Sequence, residues 1–278
     1  MRPRSSTLSA IPVAMTIAGS DPGGGAGLQA DLKTFAAFGV HGYSVVTAII
    51  AQSSARVVRV APVAPAMLTA QIEVLAAECR PAAIKTGALA TAGNVRAVAA
   101  AIALLGLPAP IVDPVMIASS GARLLDRAGE AQLRLRLLPL ARVCTPNLPE
   151  AERLSGLAID SPAAMRAAAR AICALGARAV VIKGGHEIAG RRGAPSARVI
   201  DLLYDGRDFI EMTAARIPGG GAHGTGCAFA AAIAAMLACG ADLEAAVRAA
   251  KAFVTRALRR SYLLGPRGRP ILGHLPRR

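Results

Sequence analysis

Four clusters in the chain, three of them glycine-rich, carry charged or nucleophilic side chains. The fullest is Gly219-Gly220-Gly221-Ala222-His223-Gly224-Thr225-Gly226-Cys227, which opens an alanine-rich segment of helical character. Backbone amides of residues 224–227 at the positive end of a helix dipole would form a hole for a developing anion. A lone cysteine on an alanine-rich helix is more often structural. Placed directly after Gly224-Thr225-Gly226, however, Cys227 is expected to be biased toward thiolate, its pKa drawn from ~8.5 toward ~3.5–7.5. The second stretch, Gly19-Ser20-Asp21-Pro22-Gly23-Gly24-Gly25-Ala26-Gly27, allows positive φ and close approach of a ligand to the backbone. It lacks the Gly-Lys-Ser/Thr ending of a Walker loop and the spacing of a dinucleotide fingerprint. Asp31, one turn into the helix that follows, can aim a carboxylate back at the same pocket or simply face solvent. The third is a pair, Asp113-Pro114-Val115-Met116 and Thr145-Pro146-Asn147-Leu148-Pro149-Glu150. Asp113 and Glu150 are carboxylates of the kind that hold hydrated Mg²⁺ shared with phosphates. Equally, they suit a proline-stabilised turn and an acid at a helix start. In the fourth, Ile182-Lys183-Gly184-Gly185-His186, Lys183 can reach a nucleotide phosphate as a point charge. His186 is left without a role.

These stretches need elements to position them, and the apolar pattern supplies those. Strands are predicted at 13–18, 44–50, 82–85, up to 112, 142–145 and 179–182. Helices are predicted at 28–38, 65–78, 92–105, 130–138 and 163–175. Segments 199–204 and 209–213 flank Asp205-Gly206, a pair favoured in hairpin turns, and helices at 226–238 and 243–262 complete the chain. Short apolar strands alternating with helices predict one three-layer α/β/α domain with a mostly parallel central sheet. In such sheets ligands bind beyond the carboxyl ends of the strands, where the four stretches fall. The expected organisation is a basic N-terminal tail at 1–12, a single domain at 13–264 and a basic C-terminal tail at 265–278. Residues 187–197 are expected to be an exposed loop.

The 278 residues are 54% hydrophobic and carry a formal charge of +15, which raises nucleic acid or an anionic membrane as a partner. Nine of the arginines lie at positions 2, 4, 256, 259, 260, 267, 269, 277 and 278, and setting them aside leaves +6 for the body. No aromatic residues alternate with the basic ones to form a stacking platform, so nucleic-acid binding is not expected. The five cysteines are scattered and form no Cys-x-x-Cys pair, which suits a reducing compartment. No apolar run reads as a membrane span. The apolar start is interrupted by Pro12 and leads straight into the first glycine loop, so it reads as fold rather than leader. A cytoplasmic protein without a membrane partner is expected.

Residues 19–35, 113–116, 145–150, 183–186 and 223–227, in that order, resemble the corresponding motifs of the hydroxymethylpyrimidine/phosphomethylpyrimidine kinases of thiamine biosynthesis, members of the ribokinase-like kinases. The resemblance runs from about Met15 to about Leu264. It implies a ribokinase-like fold, ATP and Mg²⁺ as cofactors, a small pyrimidine alcohol as substrate and a homodimer. Gly19, Asp31, Ile50, Gln52 and Val115 would line the pyrimidine pocket, and Asp113 and Glu150 would organise Mg²⁺. Lys183, Thr225 and Gly226 would contact ATP phosphates, with Gly224 completing the anion hole. Cys227 would take the proton of the substrate hydroxymethyl group. The chain departs from the family pattern at Ser53 (Asn is usual), Ala88 (Met), Ser119 (Lys) and Gly221-Ala222 (polar residues). The loss of a lysine at 119 bears on whether a phosphorylated substrate is accepted. The alternatives are a pyridoxal kinase of the same fold and a catalytically silent pyrimidine-binding regulator.

Overall fold

The computed structural model describes residues 11–185, 197–218 and 221–275. His186, Gly219, Gly220 and nearly all of the expected 187–197 loop lie outside them. The strands are β1 (Val13–Ser20), β2 (His41–Gln52), β3 (Val57–Pro62), β4 (Ala83–Thr86), β5 (Ile111–Val112), β6 (Val143–Cys144), β7 (Val180–Ile182), β8 (Arg198–Tyr204) and β9 (Phe209–Ala215). They form one sheet in the order β3-β2-β1-β4-β5-β6-β7-β8-β9. The run from β2 to β7 is parallel. Antiparallel β3 closes one edge and the β8–β9 hairpin the other.

Helices cover both faces, because the central strands are apolar on both sides. On one face α2 (Pro65–Glu78), α3 (Ala92–Leu104), α4 (Arg127–Gln132), α5 (Leu148–Ser155) and α6 (Pro162–Ala174) pack around Ile17, Ile84, Val112 and Ile182. On the other, α1 (Gly27–Ala37), α7 (Thr225–Ala238) and α8 (Leu243–Arg259) pack around Ala14, Ile111, Val143 and Val181. Helix α7 is apolar all round and buried from Ala228 to Ala235, as such a pattern requires. Its small side chains let it lie close against the sheet, α1 and α8. The result is the three-layer α/β/α architecture expected of the sequence.

Three local differences have physical causes. Strand β3 escapes the sequence pattern because it is an edge strand with mostly exposed side chains, Val58 among them. The helix expected at 130–138 begins earlier, at Arg127, where Asp126 caps it by accepting the Gly129 N–H. It then widens into a π-type turn at Leu133–Leu137 and tightens into a 3-10 turn at Leu138–Leu140, where Pro139 cannot donate a helical hydrogen bond. Residues after Pro146 form α5, started by a reciprocal capping box. Asn147 accepts the Glu150 N–H, and Glu150 accepts the Asn147 N–H, both at 2.9 Å.

The segment 262–275 runs back across the carboxyl end of the sheet. Tyr262 and Ile271 exchange backbone hydrogen bonds, Pro270 O accepts the His223 N–H, and Ile271, Leu272 and His274 are buried.

Candidate active site

The glycine-rich stretch before α7 makes a sharp turn that only glycine can make. Gly224 has φ +87°, and a Cβ there would stand 1.8 Å from the Gly25 carbonyl oxygen. This contact locks the second glycine loop against the first. Thr225 Oγ1 donates to Ala222 O at 2.6 Å and fixes the helix start. Lys183 arrives from the end of β7. Its Nζ lies 2.9 Å from Asp113 Oδ1 and would be 3.2 Å from a Cβ on Gly226. The ammonium group therefore sits over the N-terminus of α7 beside a carboxylate from the end of β5.

Support for Lys183 comes from behind it. A Cβ on Gly184 would meet Ile200 O at 1.9 Å, and Asp201 accepts the Gly184 N–H at 2.9 Å while pairing with Lys251 at 2.8 Å. Asp113 also faces Thr145 Oγ1 at 3.3 Å. Burial and the Asp113 charge push the Glu150 carboxyl up to about 7, while Lys183 and the N–H groups of Asn147 and Met116 pull it back. Glu150 is thus both a helix cap and a buried acid facing a second acid. No group of three or more His, Cys, Asp or Glu side chains gathers for a metal among the described residues. An open pair of carboxylates that shares its cation with phosphates is what Mg²⁺ uses, and the raised Glu150 marks a place where added positive charge is favourable.

Two β-bulges shape the other half of the site. The β1–β2 register shifts between Ala18 and Gly19, and the β2–β3 register shifts between Ala51 and Gln52. Such shifts re-aim side chains at sites. Gly19 then lies against Ile50, since a Cβ on Gly19 would be 2.8 Å from Ile50 Cδ1. Ile50 packs in one small cluster with Val115, Ala88, Ala90 and Leu124. Gln52 ends β2 and is among the groups that pull the Asp21 carboxyl down. Gly19, Ile50 and Val115 are thus brought together as one wall, with alanine at position 88 in it, and Gln52 follows Ile50 by two residues on β2.

Asp31 is placed differently. It is fully buried, accepting from Thr16 Oγ1 at 2.6 Å and paired with Lys85 Nζ at 2.8 Å, with Oδ1 left without a partner. Burial pushes the Asp31 carboxyl up and Lys85 and Thr16 pull it down. The pair keeps Lys85 charged, above its ordinary range, despite a burial cost that opposes this.

Cys227 corrects the expectation of a lowered thiol. Although part of its surface is exposed, burial pushes it up to about 11. Lys85 and the Gly27 N–H pull it down, while Asp31 and Asp113 push it further up. Helix-start amides are too weak to offset burial among two carboxylates. At neutral pH the group is a thiol among charged neighbours.

Sequence reasoning missed three features. Lys85 carries the same signal as Lys183, a lysine at the end of a buried strand followed by glycine within two residues. The Asp21–His223 pair, 3.0 Å apart, joins the two glycine loops across 202 positions, and no local pattern announces it. Asp21 also accepts the N–H groups of Gly23, Gly25 and Ala26. Burial raises its pKa, but His223 and these donors outweigh that and hold it at about 2. The third is the Asp201–Lys251 brace.

Known proteins match this chain over nearly its whole length. A sequence model of the family described as phosphomethylpyrimidine kinase matches residues 21–271. The hydroxymethylpyrimidine/phosphomethylpyrimidine kinase of Synechococcus elongatus is 46% identical over 265 residues, covering 95% of this chain and 98% of the relative. Among solved structures, Bacillus subtilis pyridoxal kinase in complex with ADP superposes with a TM-score of 0.85 at 36% identity, over 95% of this chain and 98% of that one. Phosphomethylpyrimidine kinase from Clostridium difficile gives 0.77 at 34% identity, over 89% and 99%. With fold, strand-end geometry and sequence in agreement, the chain belongs to the hydroxymethylpyrimidine/phosphomethylpyrimidine kinase family of the ribokinase-like superfamily.

Proposed function

We propose that the protein transfers the γ-phosphoryl group of ATP to the hydroxymethyl group of 4-amino-5-hydroxymethyl-2-methylpyrimidine, as a step of thiamine biosynthesis, and then to the resulting monophosphate. One observation carries the reading. Lys183, Asp113 and the helix start at Gly226 converge on one point, and the Gly19–Ile50–Val115 wall begins two residues beyond Asp113, at Val115. Phosphoryl transfer requires mainly alignment and neutralisation of charge. Lys183 and the amides of Gly224, Thr225 and Gly226 would hold the transferred group. The wall and the Gln52 amide would hold the ring, with no aromatic stack. Asp113 and Glu150 would hold Mg²⁺, which supplies further charge neutralisation on the phosphates when bound.

Cys227 would accept the hydroxymethyl proton. With its thiol near 11, only the minor thiolate form can do so at neutral pH, and the neighbouring cations, Lys85 first, favour that form. Asp31 would act by fixing Lys85.

A homodimer fits the same reading. Exposed Ile49, Val58, Met67 and Val74 give β2, β3 and α2 apolar surface near one edge of the sheet. Pyridoxal is the competing substrate, favoured by the closer superposition on pyridoxal kinase. Side-by-side kcat/KM values for the pyrimidine alcohol, its monophosphate and pyridoxal decide. The pyrimidines are expected to lead, and a larger value for pyridoxal overturns the assignment.

A further inference from the structure

The C-terminal strap at 262–275 brings a cation to the loop at 114–122, which carries none of its own. Arg269 donates its backbone N–H to Ser54 Oγ in the β2–β3 turn and its Nη1–H to the Ser119 carbonyl, both at 2.9 Å. The adjacent residue, Pro270, accepts the N–H of His223, which immediately precedes the Gly224–Gly226 helix start. Arg269 thus joins two segments around the pocket, 215 and 150 positions away in the chain, and Pro270 ties them to a third.

The loop it reaches is uncharged. No ionisable side chain occurs between Asp113 and Arg123, and Arg123 is engaged with Glu130. Residues 117–123 form a tight turn, with Ala118 N–H on Ala122 O and Gly121 N–H on Ala118 O. A guanidinium has five N–H donors in a fixed fork. Arg269 is exposed, commits one donor from that fork to Ser119, and pairs with no carboxylate among the described residues. Free donors and an unpaired charge beside a phosphoryl-transfer site suit a phosphate monoester, which arginine binds bidentately.

We propose that Arg269 holds the phosphate of a phosphorylated pyrimidine, and so determines acceptance of the monophosphate as a second substrate. The inference rests on the kinase reading above. In that second transfer an unesterified oxygen of the substrate phosphate attacks the γ-phosphorus of ATP. The bond from γ-phosphorus to the β,γ-bridging oxygen breaks, and ADP leaves with that electron pair. The attacking oxygen is already ionised, so no hydroxyl proton is removed. What the step needs is a cation that holds one phosphate dianion against another. The free alcohol offers Arg269 no such charge.

The test compares kcat and KM for the alcohol and the monophosphate in wild type, Arg269→Ala, Arg269→Gln and Arg269→Lys, read by ADP release. Glutamine can still donate to the Ser119 carbonyl but carries no charge. Hydrogen bonds to charged groups predict that Ala and Gln raise KM for the monophosphate roughly 10-fold or more. For the alcohol, KM should move much less, and Lys should recover part of the loss. Equal shifts for both substrates would make Arg269 a loop clasp only and overturn the proposal. An unchanged monophosphate KM overturns it too, as does a wild type that turns over the alcohol but not the monophosphate. Absence of turnover with either pyrimidine removes the kinase reading itself and the proposal with it.

Discussion

Replacing Lys85 by methionine tests how the buried charges beneath the site are balanced. Lys85 and Asp31 are both fully buried and 2.8 Å apart. Without Lys85, Asp31 keeps only the Thr16 hydroxyl and must take up a proton. Holding a carboxyl neutral at pH 7, when it would ionise near 3.9 once unfolded, costs about 4 kcal/mol at ~1.4 kcal/mol per pH unit. This lies within the ~3–5 kcal/mol range for a buried pair that loses one partner. The sign follows from linkage. In Lys85→Met the folded pKa of Asp31 is above the unfolded one, so the penalty grows as pH rises and shrinks to about 1.5 kcal/mol at pH 5. Asp31→Asn combined with Lys85→Met removes both charges and should recover most of the loss. Urea unfolding of wild type, both single variants and the double variant at the two pH values measures these terms. A loss below about 1 kcal/mol that is independent of pH, or a double variant as unstable as the sum of the singles, would refute the reasoning.

Three further outcomes are expected. Asp21 is held at about 2 against an ordinary 3.8, so its stabilisation is complete above 3.8 and is lost as pH falls toward 2. Asp21→Asn should therefore remove ~2 kcal/mol of pH-dependent stability, visible as a flatter acid limb in the difference from wild type. Gly224→Ala places a methyl 1.8 Å from Gly25 O at a φ of +87°, and turnover should fall on the order of 100-fold; a wild-type rate would contradict the locked loop. Alkylation of Cys227 in ligand-free protein should accelerate toward a midpoint near 11, whereas a midpoint below about 8 would restore the helix-start expectation of a lowered thiol.

The clustering of the candidate site residues was legible in the sequence because they follow strand ends. Asp113, Glu150, Lys183 and the glycines before Cys227 each come just after a short apolar run, and a parallel sheet gathers such positions at one edge. Asp21 with His223 and Arg269 with Ser54 and Ser119 were not legible. They pair residues 150 to 215 positions apart, and their contacts exist only once the sheet order is set. The Cys227 thiol was misjudged for a related reason. Its helix start is local and visible, whereas the burial and the two carboxylates that push it up are tertiary. Strand β3 was missed because its exposed edge does not show the apolar pattern of the central strands.

The decisive measurement of the kinase activity is ADP release by the purified protein supplied with ATP, Mg²⁺ and 4-amino-5-hydroxymethyl-2-methylpyrimidine. Release that depends on the pyrimidine and falls sharply in Cys227→Ala is the predicted result. No pyrimidine-dependent release above the Cys227→Ala control would contradict it.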